Sequence, residues 1–203
     1  MSAAFRRGRM ASTFAGGYMN WAKLSAAAFA ATMAATAAFA QKPVFTLVSP
    51  GLTEFSMLPN KYAAKSPPSG CDGGNVSPAL SWTGAPLSTK SYAIDLFDPA
   101  SPSLVGYVHW LAYGIPASKT SLKEGEGSSP SSEFESGKNS PGTEAYSGPC
   151  PPAGQKPHPY VFLMLATDLA PGSLKAGMTR DELAAALKDH VLGRTTLVFQ
   201  FGR

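Results

Sequence analysis

Two cysteines and three histidines are the whole supply of thiols and imidazoles in this chain of 203 residues. That scarcity removes several chemistries at once. No HExxH or comparably close spacing of metal ligands occurs, and no serine stands in a G-x-S-x-G elbow or another nucleophile motif. Charge is sparse too, at 15% of residues. No basic stripe with interleaved aromatics is present to follow a nucleic-acid backbone. There is no internal repeat and no linker between two cores. Only one long apolar run occurs, and it lies near the start of the chain.

That run is Leu24–Ala40, "LSAAAFAATMAATAAFA". Arg6, Arg7, Arg9 and Lys23 precede it, and it ends in Ala38-Phe39-Ala40. A basic segment, an apolar segment and a small-x-small site together read as a secretory signal peptide, cleaved after Ala40. The alternative is an N-terminal membrane anchor. Against it, the run is somewhat short of the about 20 residues a span needs, and alanine is only weakly hydrophobic. The Arg6-Arg7 pair lies too far upstream to argue for twin-arginine export. Met19, with Lys23 as a compact basic region, would be a tidier start. The expected organisation is residues 1–40 as leader and 41–203 as a single mature domain, periplasmic or secreted, with no stable membrane insertion once the leader is gone.

Removal of the leader changes the charge balance. The whole chain is +4, from 17 Lys and Arg against 13 Asp and Glu. The leader has four basic residues and no acidic one, so the mature part holds 13 of each sign and is neutral. The basicity belongs to targeting and implies no nucleic-acid partner.

Cys71 and Cys150 both lie in the mature part. In an exported protein such a pair reads first as a disulfide, with two free thiols as the alternative. A bridge would tie "SGPCPPAGQKPHPYVF", Ser147–Phe162, to a loop about eighty residues upstream. This stretch carries five prolines before and within its entry into an apolar run, far more rigidity than a turn requires.

Short apolar runs at Val44–Val48, Tyr92–Phe97, Val105–Ile115, Tyr160–Asp168 and Thr195–Phe201 have the length and content of strands. Tyr160–Asp168 is apolar on both faces and is expected to be a central strand. One helix is expected. Thr179 and Glu182 form a T-x-x-E capping box; Leu183, Ala186, Leu187 and His190 follow at helical spacing, and Gly193 stops it. Ser118–Tyr146 is polar and rich in Gly and Ser, which suggests a long mobile surface loop with one short strand at most. The expected fold is mainly β: an antiparallel β-sandwich with one helix in the C-terminal region.

Of the histidines, His190 falls on the apolar face of the expected helix and reads as structural. His109, in "GYVHWLAYG", shares a strand face with Tyr107 and Leu111, and a histidine inside a buried strand needs a partner or a ligand. His158 is fixed by the proline that follows it, with Tyr160 on the same side of the strand. Asp98 ends a strand in "FDPAS", where Asp-Pro ordinarily forms a turn. Each of these has a structural explanation by itself. Together they place two imidazoles, a phenol and a carboxylate at strand ends. The imidazoles and the phenol suit phosphate oxygens, whereas the aspartate would repel an anion unless it orients a histidine or receives a cationic group.

These residues, in this order, resemble the phosphatidylethanolamine-binding protein family, also called Raf kinase inhibitor-like proteins, in its bacterial branch. The matching pieces are "CDGGNVSPALSW", "DPAS", "GYVHW", "GPCPP" and "HPYVF", within roughly Val44–Phe201. The resemblance implies a β-sandwich with a small anion pocket at one end, lined by Asp98, His109, the Gly148–Pro152 loop (Gly148, Pro151, Pro152), His158 and Tyr160. It implies a small phosphorylated ligand or phospholipid headgroup as partner. The family's usual Asp-Pro-Asp-Ala-Pro has become Asp98-Pro99-Ala100-Ser101-Pro102, so its second carboxylate is absent.

The expected function is a non-enzymatic binding protein without cofactor or metal. Two alternatives belong to other classes. One is an interaction module that inhibits a protease or regulates a kinase, with the Ser118–Tyr146 loop as its surface. The other is an enzyme, either a zinc hydrolase using His109, His158 and Asp98, or a thiol enzyme with Cys150 and His158.

Overall fold

The computed structural model describes residues 43–203. The expected leader and its expected cleavage site lie outside the described residues. Ten strands and one helix are formed: β1 Thr46–Val48, β2 Lys65–Ser66, β3 Cys71–Asp72, β4 Leu80–Thr83, β5 Ser91–Asp98, β6 Tyr107–Pro116, β7 Ser121–Leu122, β8 Glu135–Gly137, β9 His158–Thr167, α1 Arg180–Ala186 and β10 Val191–Phe201. Five strands make the principal sheet in the order β10-β9-β5-β6-β8, and three make a second sheet, β1-β4-β7. The pairings within both sheets are antiparallel. β2 and β3 form a short hairpin beside them.

Period-two alternation explains how the principal sheet packs. Tyr92, Ile94 and Leu96 of β5 join a buried cluster with Leu47 of β1 and Leu80 and Trp82 of β4, so that cluster fills the space between the sheets. Ala93 points the other way, into a second cluster with Leu111, Tyr113, Leu183 and Leu187, where α1 covers the outer face. β9 sits between β10 and β5, in the interior of the sheet, as its two-sided apolar run predicts.

The capping box forms: Thr179 Oγ1 accepts from the Glu182 N–H, and Glu182 Oε2 accepts from the Thr179 N–H at 2.8 Å. The helix ends earlier than its pattern suggests, however, at Ala186 with Leu187 as its cap. Asp189, in the left-handed region at φ 67°, turns the chain instead of Gly193, and Gly193 lies within β10 at a bulge. His190 therefore sits beyond the helix, half-exposed, with Nδ1 2.8 Å from Asp168 Oδ1.

The Ser118–Tyr146 segment contains two strands rather than at most one. It is anchored by buried Phe134 and Tyr146, and by Lys119, which pairs with Glu126 and Glu133 at 2.7 and 2.6 Å. Its scattered apolar residues have no local period; each finds its place only against the finished sandwich. No helix among the described residues is long and apolar enough to cross a membrane.

Candidate functional site

The ends of β5, β6 and β9 coincide. Asp98 is opposite Tyr107 across the β5–β6 ladder, and Phe97 is opposite Val161 across β5–β9. Antiparallel pairing thus brings the last residue of one strand and the first residues of two others to one end of the sheet. The same end receives the chain leaving β10, because Phe201 pairs with His158. A cavity of about 630 Å³ opens there. Every residue expected at the pocket lines it: Asp98, His109, Gly148, Pro151, Pro152, His158 and Tyr160.

His109 owes its place to a bulge. The β5–β6 register shifts between Leu96 and Phe97, and His109 has no residue opposite it. The bulge breaks the alternation on β6. His109 keeps Tyr107 beside it, with ring centroids 4.8 Å apart, but Leu111 packs in the outer cluster under α1. The expectation that all three share a face fails for Leu111 on this account. Across the cavity floor, the Tyr160 ring meets His109 edge-on at 5.1 Å.

The hydrogen bonds assign the tautomer of His109. Nδ1 lies 2.7 Å from the Ser147 carbonyl oxygen, which can only accept, so Nδ1 carries the proton and Nε2 the lone pair. Burial drives the imidazole below its ordinary value of 6.5, partly offset by the Ser147 carbonyl and the Asp98 charge. The free ring is therefore neutral at pH 7. Tyr107 is raised by burial, and Tyr160 by burial and the Asp98 charge, so both phenols remain donors. Among the described residues neither phenol makes a side-chain hydrogen bond.

His158 is held differently. Its Nδ1–H donates to Asp98 Oδ2 at 2.7 Å, and its Nε2 lies 3.1 Å from Gln155 Oε1. The other Asp98 oxygen accepts the Ala100 N–H at 2.8 Å, the turn that its Asp-Pro sequence predicts. Asp98 thus orients a histidine and closes a turn together. The zinc arrangement does not assemble from these residues. Asp98 and His158 are directed at each other, His109 at a carbonyl, and no three His, Cys, Asp or Glu side chains among the described residues converge as a metal site.

The proline-rich wall is fastened at several points. Cys150 is bridged to Cys71, 79 residues away, so neither thiol is free. The Pro149 carbonyl accepts the Ala64 N–H at 2.9 Å, and the Gly148 N–H donates to Asn75 Oδ1 at 2.8 Å. Gly148 lies so close to the Tyr62–Ala64 backbone that a Cβ there would overlap the Tyr62 carbonyl and its neighbours. Prolines at 149 and 151 donate nothing, but their carbonyls are both used.

Four participants escaped the sequence reading as parts of the site. Tyr107 could have been found from its i, i+2 relation to His109. Gln155, Asn75 and Arg203 carry no local signal. Arg203 lines the cavity, and its guanidinium donates to the Pro151, Gly70 and Ser69 carbonyls at 2.6, 3.0 and 2.8 Å.

A disulfide-braced antiparallel sandwich, with an imidazole and two phenols at one rim, defines a small binding-protein fold. The chain belongs to the phosphatidylethanolamine-binding protein family, whose model matches residues 48–202. It is 37% identical over 149 residues to a UPF0098 protein of Methanothermobacter thermautotrophicus, covering 72% of this chain and 91% of that one. The UPF0098 protein YbcL of Escherichia coli is 41% identical over 101 residues, covering 48% of this chain and 55% of YbcL. The crystal structure of E. coli YbcL, described as a new member of the mammalian PEBP family, superposes with a TM-score of 0.73 at 28% identity. That superposition covers 78% of this chain and 98% of YbcL.

Proposed function

We propose that this chain is an exported, non-enzymatic binding protein whose rim pocket takes a small phosphate-like anion, free or as a phosphorylated headgroup. The observation that carries this reading is the triplet Tyr107, His109 and Tyr160. Their rings are in contact, and their outward polar atoms, two phenolic hydroxyls and Nε2, have no side-chain partner among the described residues. These atoms face the cavity rather than a protein partner, so an anion that enters can accept from them in place of water. The phenols donate directly. His109 donates from Nε2 once the approaching anion raises its proton affinity.

The non-enzymatic part rests on the partners of the histidines. A nucleophile needs a base within hydrogen-bond reach. His109 bonds a carbonyl, His158 bonds Asp98 and Gln155, and no hydroxyl or thiol bonds to either ring among the described residues. Export is supported by the leader pattern and by the cystine, which is suited to an oxidising compartment.

The direct test is an NMR titration with inorganic phosphate that follows the His109 ring in the wild type and in Tyr160→Phe. Saturable shifts of the His109 signals, weakened in the variant, are expected. An unresponsive ring would overturn the proposal.

A further inference from the structure

The charges that line the pocket are unevenly used. Among the described residues Asp98 is the one carboxylate in its wall, and both of its oxygens are occupied, by His158 and by the Ala100 N–H. It is also only 4% exposed. Arg203 is in the opposite situation. Its guanidinium uses three N–H groups on neutral carbonyls, of Pro151, Gly70 and Ser69, and none on a carboxylate. No Asp or Glu side chain among the described residues forms an ion pair with it. Two N–H groups remain, on a planar fork already held in one orientation. The carbonyls that hold it belong to the two loops joined by the Cys71–Cys150 bridge, so the cation is fixed to the braced wall. Arg203 also lies one residue beyond the stretch that the family model matches.

The remaining polar lining is hydroxylic. Ser66, Ser69 and Ser101 stand around the outer cavity with Tyr107. A volume of about 630 Å³ leaves room for an organic group beyond a bound phosphate.

We propose that Arg203 sets the charge preference of the pocket, and that its ligand is a phosphomonoester whose organic part bears hydroxyls and no cation. This rests on the anion-pocket reading above. An ammonium group entering the cavity finds no free carboxylate among the described residues and meets a guanidinium that no Asp or Glu side chain pairs, a repulsion screened in part by water because Arg203 is exposed. A hydroxylated group meets serine and tyrosine hydroxyls that can both donate and accept. The phosphate takes the two free guanidinium N–H groups together with the His109 and tyrosine donors.

The test is calorimetric titration of the wild type, Arg203→Gln and Arg203→Lys with inorganic phosphate, glycerol phosphate and phosphoethanolamine, at one pH and one salt concentration. Glycerol phosphate is expected to bind at least fivefold more tightly than phosphoethanolamine. Arg203→Gln should erase that ratio, and Arg203→Lys should keep it at lower affinity. A merely structural role for Arg203 would weaken all ligands alike and leave the ratio unchanged, which would overturn the inference. Phosphoethanolamine binding as tightly as glycerol phosphate to the wild type would also overturn it, while leaving the anion pocket standing. No binding of any of the three would remove both proposals.

Discussion

Asp98 and His158 meet at 2.7 Å, carboxylate Oδ2 to imidazole Nδ1, with side chains only 6% and 7% exposed. The pair joins the end of β5 to the start of β9, and the Ala100 N–H completes the second carboxylate oxygen. Truncating one member leaves the other buried without its partner. Asp98→Ala should cost about 3 kcal/mol or more of unfolding free energy, read by urea denaturation. His158→Ala should cost a comparable amount. Neither is a clean probe of binding, which is why His109 is the better one. A loss below about 1 kcal/mol would mean that water replaces the missing partner.

His109 ties binding to pH. Burial holds the free imidazole below 6.5, so at pH 7 it is neutral with its proton on Nδ1. An anion that accepts from Nε2 favours the imidazolium, so binding takes up a proton. Phosphate affinity should therefore rise as pH falls toward the depressed pKa of the free ring, by at most about tenfold per unit, and level off below it. In the free protein the sign is opposite. The unfolded chain binds this proton more readily, so His109 costs stability as pH drops below 6.5. Calorimetry in buffers of different ionisation heat measures the uptake. His109→Ala should lower affinity about tenfold or more and abolish that uptake.

The cystine links residues 79 apart and should contribute about 2–4 kcal/mol by restricting the unfolded chain. Denatured, unreduced protein should show no titratable thiol. Cys71→Ser with Cys150→Ser should lower the melting temperature and also weaken anion binding, because the pocket wall loses its brace. Two thiols in the unreduced sample would refute the bridge.

Gly148 is required by close approach. Gly148→Ala places a methyl group against the Tyr62–Ala64 backbone, which cannot move aside cheaply. A cost of about 1–3 kcal/mol is expected, with phosphate binding reduced as the wall shifts. Unchanged melting and unchanged affinity would show that the wall adapts.

What the sequence determined by itself was local or repetitive. The alternation in Tyr92–Phe97, the two-sided apolar run of β9, the capping box at Thr179 and the ordered motif pieces all act between near neighbours, through side-chain period and backbone sterics. They sufficed for the strands and the start of the helix, and the family resemblance carried by the motif pieces implied the seven residues around one cavity. The tertiary structure decided how those residues are used. The bulge at His109 depends on the register of β5 against β6, and it separates His109 from Leu111. The partners of the polar groups come from far along the chain: Ser147 for His109, Asp98 for His158, and Gly70 for Arg203, at separations of 38, 60 and 133 residues. A hydrogen bond needs only an acceptor at the right distance, and no periodicity announces which distant residue supplies it. Thus Asp98, His109, His158 and Tyr160 were legible in the chain, whereas the occupied carboxylate, the neutral imidazole and the carbonyl-held guanidinium of Arg203 emerge only once distant segments meet.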